Sequence, residues 1–350
     1  MKIKNIIKTM SLAFLAVGFA SCENGDIEFP DYDKGTTVYF PYQYPVRTLA
    51  LGDEEYDTSL DQAHKCQIKA TFGGSRTGSN GTVQVEVDNS LVNDLTFADG
   101  TPVKAMPANY YQLSTTNLAF NGTFNGVTDV QLTDAFFADP DAVKNTYVIP
   151  LVMKAQTGFN YILTGTPTIE GETPWRLNAA AWKKAPQDYV LYCVKYQNKY
   201  AGYWLADGED QVTGLLGTET VSHKSATVEK RIIKQLATKS LTECTMNVEY
   251  GFKYKDEQGN DKVDTRSAQL ILTIDAQGAI TVKSNTPGVT ATGSGKWVDN
   301  GAKQAWNQKD RDMIDLAYEV KFDAQHTVKA TDNLIWQRSG IVVEEFSPIY

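Results

Sequence analysis

The chain has 350 residues, of which 42% are apolar, 21% charged and 11% aromatic. That is enough apolar material for one large or two ordinary domains, and it excludes a wholly disordered chain. Four cysteines exclude a disulfide scaffold, and 33 Lys+Arg against 42 Asp+Glu give a net charge of −9, which argues against nucleic acid as a partner.

The first segment reads as an address. Lys2, Lys4 and Lys8 make a positive start, and Met10 to Ala20 is an apolar run of secretory length, too short to span a bilayer. It ends in Phe19-Ala20-Ser21-Cys22. Small residues before a cysteine resemble a bacterial lipoprotein cleavage site. That resemblance implies a signal peptide over residues 1–21, lipidation of Cys22 and attachment to the membrane through the N-terminal lipid. Residues 22–35 read as an acidic tether, with Glu23, Asp26, Glu28, Asp31 and Asp33. Acidic residues at this place resemble the signal that sends Bacteroidetes lipoproteins to the outer face of the outer membrane. No later apolar run is long enough to cross a membrane as a helix.

From about residue 36 the chain reads as strands. Thr82–Val87 alternates with three valines on one face. Gln269–Ile274 and Ala279–Val282 flank Asp275-Ala276-Gln277-Gly278, a hairpin signal. Asn80-Gly81, Asn121-Gly122 and Asn125-Gly126 are turn signals. Short helical stretches are expected around Asp134 to Asn145, opened by Asp139-Pro140, and near Leu177 to Lys184. Residues 161–187 look like a connector rich in Gly and Pro, between a domain at 36–160 and another at 188–350. The fold class is all-β, with strands at sandwich or barrel spacing.

Two groups of phrases resemble a known family. The first is Ala108-Asn109-Tyr110-Tyr111-Gln112-Leu113-Ser114, then Val130 to Pro140, then Asn145 to Leu151. The second is Asp188 to Gly202, Arg231 to Leu236, Gly295-Lys296-Trp297, Asp310-Arg311-Asp312 and Leu334-Ile335-Trp336. Together they resemble Bacteroidetes two-domain surface lipoproteins of polysaccharide-utilisation loci, described as cell-adhesion or carbohydrate-handling proteins. The resemblance implies an immunoglobulin-like β-sandwich, then an antiparallel β domain with a lipocalin-like barrel as one form. It also implies SusC- and SusD-like neighbours and a polysaccharide ligand. Gly202-Tyr203-Trp204 fits the G-x-W that opens many lipocalin barrels.

No motif of a known catalytic class is present. His64, His223 and His326 are far apart and show no metal-ligand spacing; His64 and His326 sit in polar, exposed-looking stretches. Cys66, Cys193 and Cys244 read best as buried thiols, with a Cys193–Cys244 bridge as the alternative. There is no G-x-S-x-G, Walker or Rossmann signature, so no cofactor and no metal is expected. The visible acidic clusters, Asp310/Asp312 and Glu344/Glu345, read as solvated charge.

Sugars present flat C–H faces and many hydroxyls, so a sugar site wants exposed aromatics beside polar side chains. Tyr203, Trp204, Trp297, Trp306, Tyr318 and Trp336 are the candidates, Trp297 and Trp336 leaning to the core. Trp306 with Asn307 leads, and Tyr203-Trp204 beside Asp207, Glu209 and Asp210 follows. The expectation is a non-catalytic surface protein that binds glycan or another surface ligand. The alternatives are an adhesive, fimbrial-type subunit donating Ser339–Phe346 as a strand, and a carboxylate-pair glycosidase.

Overall fold

The computed structural model describes residues 33–52 and 54–350. The expected signal peptide, Cys22 and most of the expected tether lie outside them. The described chain is all-β, in two units.

The first unit is a sandwich. Its principal strands are β1 (Thr37–Tyr39), β2 (Pro45–Ala50), β3 (Lys65–Gly73), β4 (Thr82–Val87), β5 (Asn125–Leu132), β6 (Tyr147–Thr157) and β7 (Tyr189–Gln197). One sheet runs Tyr161–Ile162, β1, β3, β5, Tyr111–Leu113. The other runs Glu344–Glu345, β2, β7, β6, β4, Asn117–Ala119. Alternation places Cys66, Ile68, Ala70 and Phe72 of β3 against Val83, Val85, Ile149 and Leu151 of the facing sheet. The turn at Asp134–Phe137 and the 3-10 turn at Pro140–Val143 plug this core with Phe136, Phe137 and Ala142. Asp139 caps the second turn, its carboxylate accepting from the Asp141 amide at 2.8 Å.

The second sheet is covered on both faces. Seven consecutive residues of β6, Tyr147 to Met153, are buried. Val148, Val152, Leu191 and Cys193 turn away from the sandwich interior and meet Leu91, Leu95, Phe97, Leu177 and Phe346. The chain end supplies that last residue. Glu344–Glu345 pairs antiparallel with Pro45–Val46, and Ile349 bridges to Thr96.

The second unit is a closed barrel. Its strands are β8 (Gly202–Gly214), β9 (Gly217–Ser222), β10 (Ile232–Thr238), β11 (Glu243–Lys255), β12 (Asp261–Ile274), β13 (Ala279–Ser284), β14 (Thr290–Trp306), β15 (Lys309–Lys321) and β16 (Thr327–Arg338). From β10 to β16 each strand pairs antiparallel with the next; β8 pairs with β10 on one side and with β16 on the other. Eight strands therefore close on themselves, as in up-and-down barrels, and β9 folds back on β8 as a hairpin arm. The interior is filled by side chains, among them Trp204, Met246, Phe252, Leu270, Leu272, Ile314 and Leu316.

Several expectations change. The second unit does not begin at 188: β7 lies in the sandwich, parallel to β2 and antiparallel to β6, and the crossing falls at 198–201. Cys193 and Cys244 therefore sit in different units, and Cys66, Cys193 and Cys244 are buried free thiols. Burial pushes each thiol up to about 12. Asn125-Gly126 opens β5 rather than forming a turn, because Gly126 takes the spot against which Phe120 packs. His326 is 6% exposed, pinned between Asp323 and the Phe252 ring, and His64 is half-buried against Phe137. The residues Leu177 to Lys184 form a 3-10 turn at Ala179–Ala181 followed by a short strand at Trp182–Lys184.

Candidate functional site

The aromatic residues singled out from sequence do not gather in one place. Trp204 is fully buried in the barrel, its indole N–H donating to the Tyr200 carbonyl at 3.1 Å. Its acidic neighbours Asp207 and Glu209 face the other side of β8, so no polar site forms around its ring. Tyr318 is also core, with its hydroxyl 2.8 Å from that of Tyr250. Tyr203 lies outside the barrel, half-buried under the Arg338 guanidinium at 4.3 Å. Trp306 is half-buried on the outer wall, packed with Ala302 and Met313 over Leu205 and Ile335. Asn307 is exposed at the hairpin tip; it and Gln308 take φ of 53° and 56°, the pair of left-handed residues that a tight two-residue hairpin needs.

The usable concavities lie elsewhere. The larger is a chamber of about 690 Å³ on the open flank of the sandwich, between β2 and β3 and under the returning tail Ile341–Glu345. Its floor is apolar, with Val46, Ile68, Val190 and Tyr192. Tyr42 and Tyr56 stand at its edge, 59% and 48% exposed. Polar side chains line the same space: Arg47, Gln67, Lys69, Asn125 and Glu344. Several are held in place. Arg47 is clamped by buried Asp61, whose other oxygen accepts from the Ala50 amide at 2.9 Å. Gln67 donates to Asp129 at 2.9 Å, and Glu344 pairs with Lys195 at 2.9 Å. Burial raises the phenols of Tyr56 and Tyr192, so both remain neutral hydrogen-bonding groups at neutral pH.

A second chamber, of about 190 Å³, lies between the two units and shares Ile341 with the first. Glu54 and Glu55 come from the loop after β2, Gln197 from the end of β7, and Asn198 and Lys199 from the crossing between the units. Asn300, Lys309, Arg311 and Asp312 come from the long β14–β15 hairpin, and Trp336 from β16. Arg311 is 8% exposed, its guanidinium 5.4 Å from the Trp336 ring centroid. Burial pushes the Asp312 carboxyl up to about 6, with Asp299 beside it adding repulsion. Burial also raises Glu54.

Sequence reading passed over a third feature, a charged cluster inside the barrel. Asp332 accepts from His223 Nε2 at 2.8 Å and is paired with Lys234 at 2.5 Å. Asp210 lies 3.7 Å from His223 Nδ1, its carboxyl raised by burial, and its Oδ1 has no hydrogen-bond partner. Gly208 makes room for this insertion: a Cβ there would stand 2.8 Å from His223 Nε2 and 2.9 Å from Asp332 Oδ1. An i, i+2 run of Gly208 and Asp210 inside an inward-facing series is the one signal that could have revealed it. Among the described residues no group of three His, Cys, Asp or Glu could hold a metal ion, and no helix is long and apolar enough to cross a membrane.

Comparison with known proteins follows the same division. Residues 199–340 match a family described as a domain of unknown function (DUF5627), and residues 32–160 match a family of N-terminal domains. No curated protein matches. Among solved structures, a Bacteroides ovatus protein of unknown function is 35% identical, with a TM-score of 0.81 over 91% of this chain and 99% of that one. A multidomain protein including DUF1735 from Bacteroides ovatus is 9% identical over 86% of this chain and 93% of that one, with a TM-score of 0.40. An auxiliary nutrient binding protein from Bacteroides thetaiotaomicron is 11% identical over 83% and 90%, with a TM-score of 0.37. By identity and coverage together, the chain belongs to the family of the first of these, a two-domain architecture that ends in the DUF5627 domain.

Proposed function

We propose that the protein is a non-catalytic, lipid-anchored surface protein that binds glycan in the large flank chamber. The observation that carries this reading is the pair of exposed rings, Tyr42 and Tyr56, over a chamber that also presents Arg47, Gln67, Lys69 and Asn125. Rings offer the C–H faces of a sugar a stacking surface, and amide and cationic side chains hydrogen-bond its hydroxyls. A volume of about 690 Å³ suits a short oligosaccharide rather than one ring. The lipid anchor at Cys22 and the outer-surface address rest on the N-terminal sequence alone. The SusC- and SusD-like neighbours rest on the family resemblance of the two domains.

The test is affinity electrophoresis of residues 24–350 through gels holding a broad polysaccharide panel, with the released sugars assayed in parallel. Retardation by a glycan without product release, lost in Tyr42→Ala and Tyr56→Ala, supports the reading. Product release makes the protein a glycosidase. No retardation by any glycan removes the glycan assignment. The adhesive alternative loses its donor strand, because Glu344–Glu345 pairs with β2 of its own chain and Phe346 is buried there.

A further inference from the structure

The small chamber between the units holds charges of both signs that do not satisfy each other. Most of the charges around it have partners. Asp310 pairs with Lys303 at 2.9 Å, Lys309 with Glu55 at 3.2 Å, and Lys199 lies 4.2 Å above the Trp297 ring. Arg311 is different. It is more than nine-tenths buried and carries five N–H donors. Its nearest acceptors among the described residues are the Trp306 carbonyl at 3.4 Å and Glu55 at 3.8 Å, a carboxylate that is 68% exposed and already shared with Lys309. A buried guanidinium held this loosely has capacity for an anion.

Asp312 and Glu54 are the converse case. Asp312 accepts from the Asn300 amide at 2.9 Å, and Glu54 has the Ser339 hydroxyl. Among the described residues neither carboxyl has a cation within ion-pair distance, and burial disfavours the charge of each. Each would gain from a cation brought into the chamber. Arg311 and Asp312 are consecutive on β15 and both line the chamber, yet no ion pair joins them among the described residues.

The geometry points to a binding site for a small zwitterion of the α-amino-acid class, its carboxylate on Arg311 and its ammonium on Asp312 and Glu54. A lone anion would leave the two carboxyls uncompensated, and a lone cation would leave Arg311 uncompensated. A molecule carrying both charges a few bonds apart meets both needs. The volume agrees: about 190 Å³ lies below the range of about 300–1,000 Å³ that takes drug-sized ligands, and suits a single small molecule. The Trp336 ring backs the guanidinium at 5.4 Å. The site adjoins the tyrosine chamber at Ile341 and does not depend on glycan binding there.

The test is isothermal titration calorimetry of the full-length chain in detergent with each of the twenty common α-amino acids, then with the amide and the N-acetyl form of any that bind. The expected result is binding of at least one amino acid with Kd near or below about 1 mM. Affinity should fall about tenfold or more in Arg311→Gln and in Asp312→Asn, and when either ligand charge is blocked. Tyr42→Ala should leave it unchanged. Glu54→Gln, on a loop, is the further variant that reads the ammonium side if a hairpin variant fails to fold. The inference is overturned if no amino acid binds up to about 10 mM, if the amide and N-acetyl forms bind as well as the parent, or if the folded variants bind as the wild type does.

Discussion

The two units bury their strands in different ways. In the barrel a strand has one wet face and one dry face: β12 reads with Ala268, Leu270, Leu272 and Ile274 buried and the residues between them more open. In the sandwich the central strand β6 is dry on both faces, because the tail and the loops at 91–103 cover what would be its outer side. Alternation is therefore a good guide to the barrel and a poor one to the sandwich's second sheet. The sandwich also depends on distant chain. β2 pairs with β7 across more than a hundred residues, and the sheet edge is supplied by Glu344–Glu345 after the barrel is complete. The barrel, apart from its closure, is built from neighbours in sequence.

The largest test of that contrast uses one substitution in each unit. Phe346→Ala removes a ring that follows the barrel in sequence yet packs in the sandwich with Phe97 and Tyr44. Trp204→Ala empties the barrel core. Each is expected to cost about 3–5 kcal/mol. Denaturant unfolding followed by hydrogen exchange should show the first loss in β2, β6 and β7 and the second in β8 to β16. If Phe346→Ala weakened only the barrel, the assignment of the tail to the sandwich would be wrong.

Next is the cluster inside the barrel. Asp332→Ala would leave Lys234 and His223 facing each other without their shared carboxylate. The expected loss is about 3 kcal/mol, the lower end for breaking a buried pair, since Lys234 keeps some contact with solvent. Chemical denaturation checks it, and a loss below about 1 kcal/mol would mean that the cluster behaves as surface charge.

Trp306→Ala should cost about 1–2 kcal/mol, because the half-buried indole covers Leu205 and Ile335. Glycan retardation should not change, which separates a packing residue from a binding one. Loss of retardation with stability intact would return Trp306 to the ligand site.

The smallest effect is a pH slope at the junction of the units. Asp312 is raised to about 6 in the folded protein, above its unfolded value. Its charge therefore opposes folding above that pH, and the penalty fades as pH falls through about 6 toward the unfolded value. Asp312→Asn should remove this part of the pH dependence, seen as a smaller rise in Tm between pH 7 and pH 5. An unchanged slope would place the titrating group elsewhere, with Glu54 and Asp210 next in line.

Much of this was legible in the chain. The alternation of Thr82–Val87, the hairpin at Asp275–Gly278 and the helical turns at Asp134–Phe137 and Pro140–Val143 all stand where the sequence put them. Those signals are local, so local sequence carries them. The binding chambers were not legible. Tyr42, Tyr56, Gln67 and Asn125 come from four separate stretches, and no spacing links them. Trp204 misled for a related reason. Its neighbours at 207 and 209 are polar, yet every second residue of β8 faces the other side of the wall.

The sequence by itself determined that this protein is built of strands, where most of them turn, and that two units follow one another. Periodicity and turn chemistry are properties of a few adjacent residues, so they survive without the rest of the molecule. Tertiary structure alone decided which face of β8 is dry, that β7 and the C-terminal tail belong to the first unit, and that Arg311 and Glu54 line one chamber between the units. Those outcomes depend on which distant strands pair and which surfaces exclude water together, and no short run of residues encodes either.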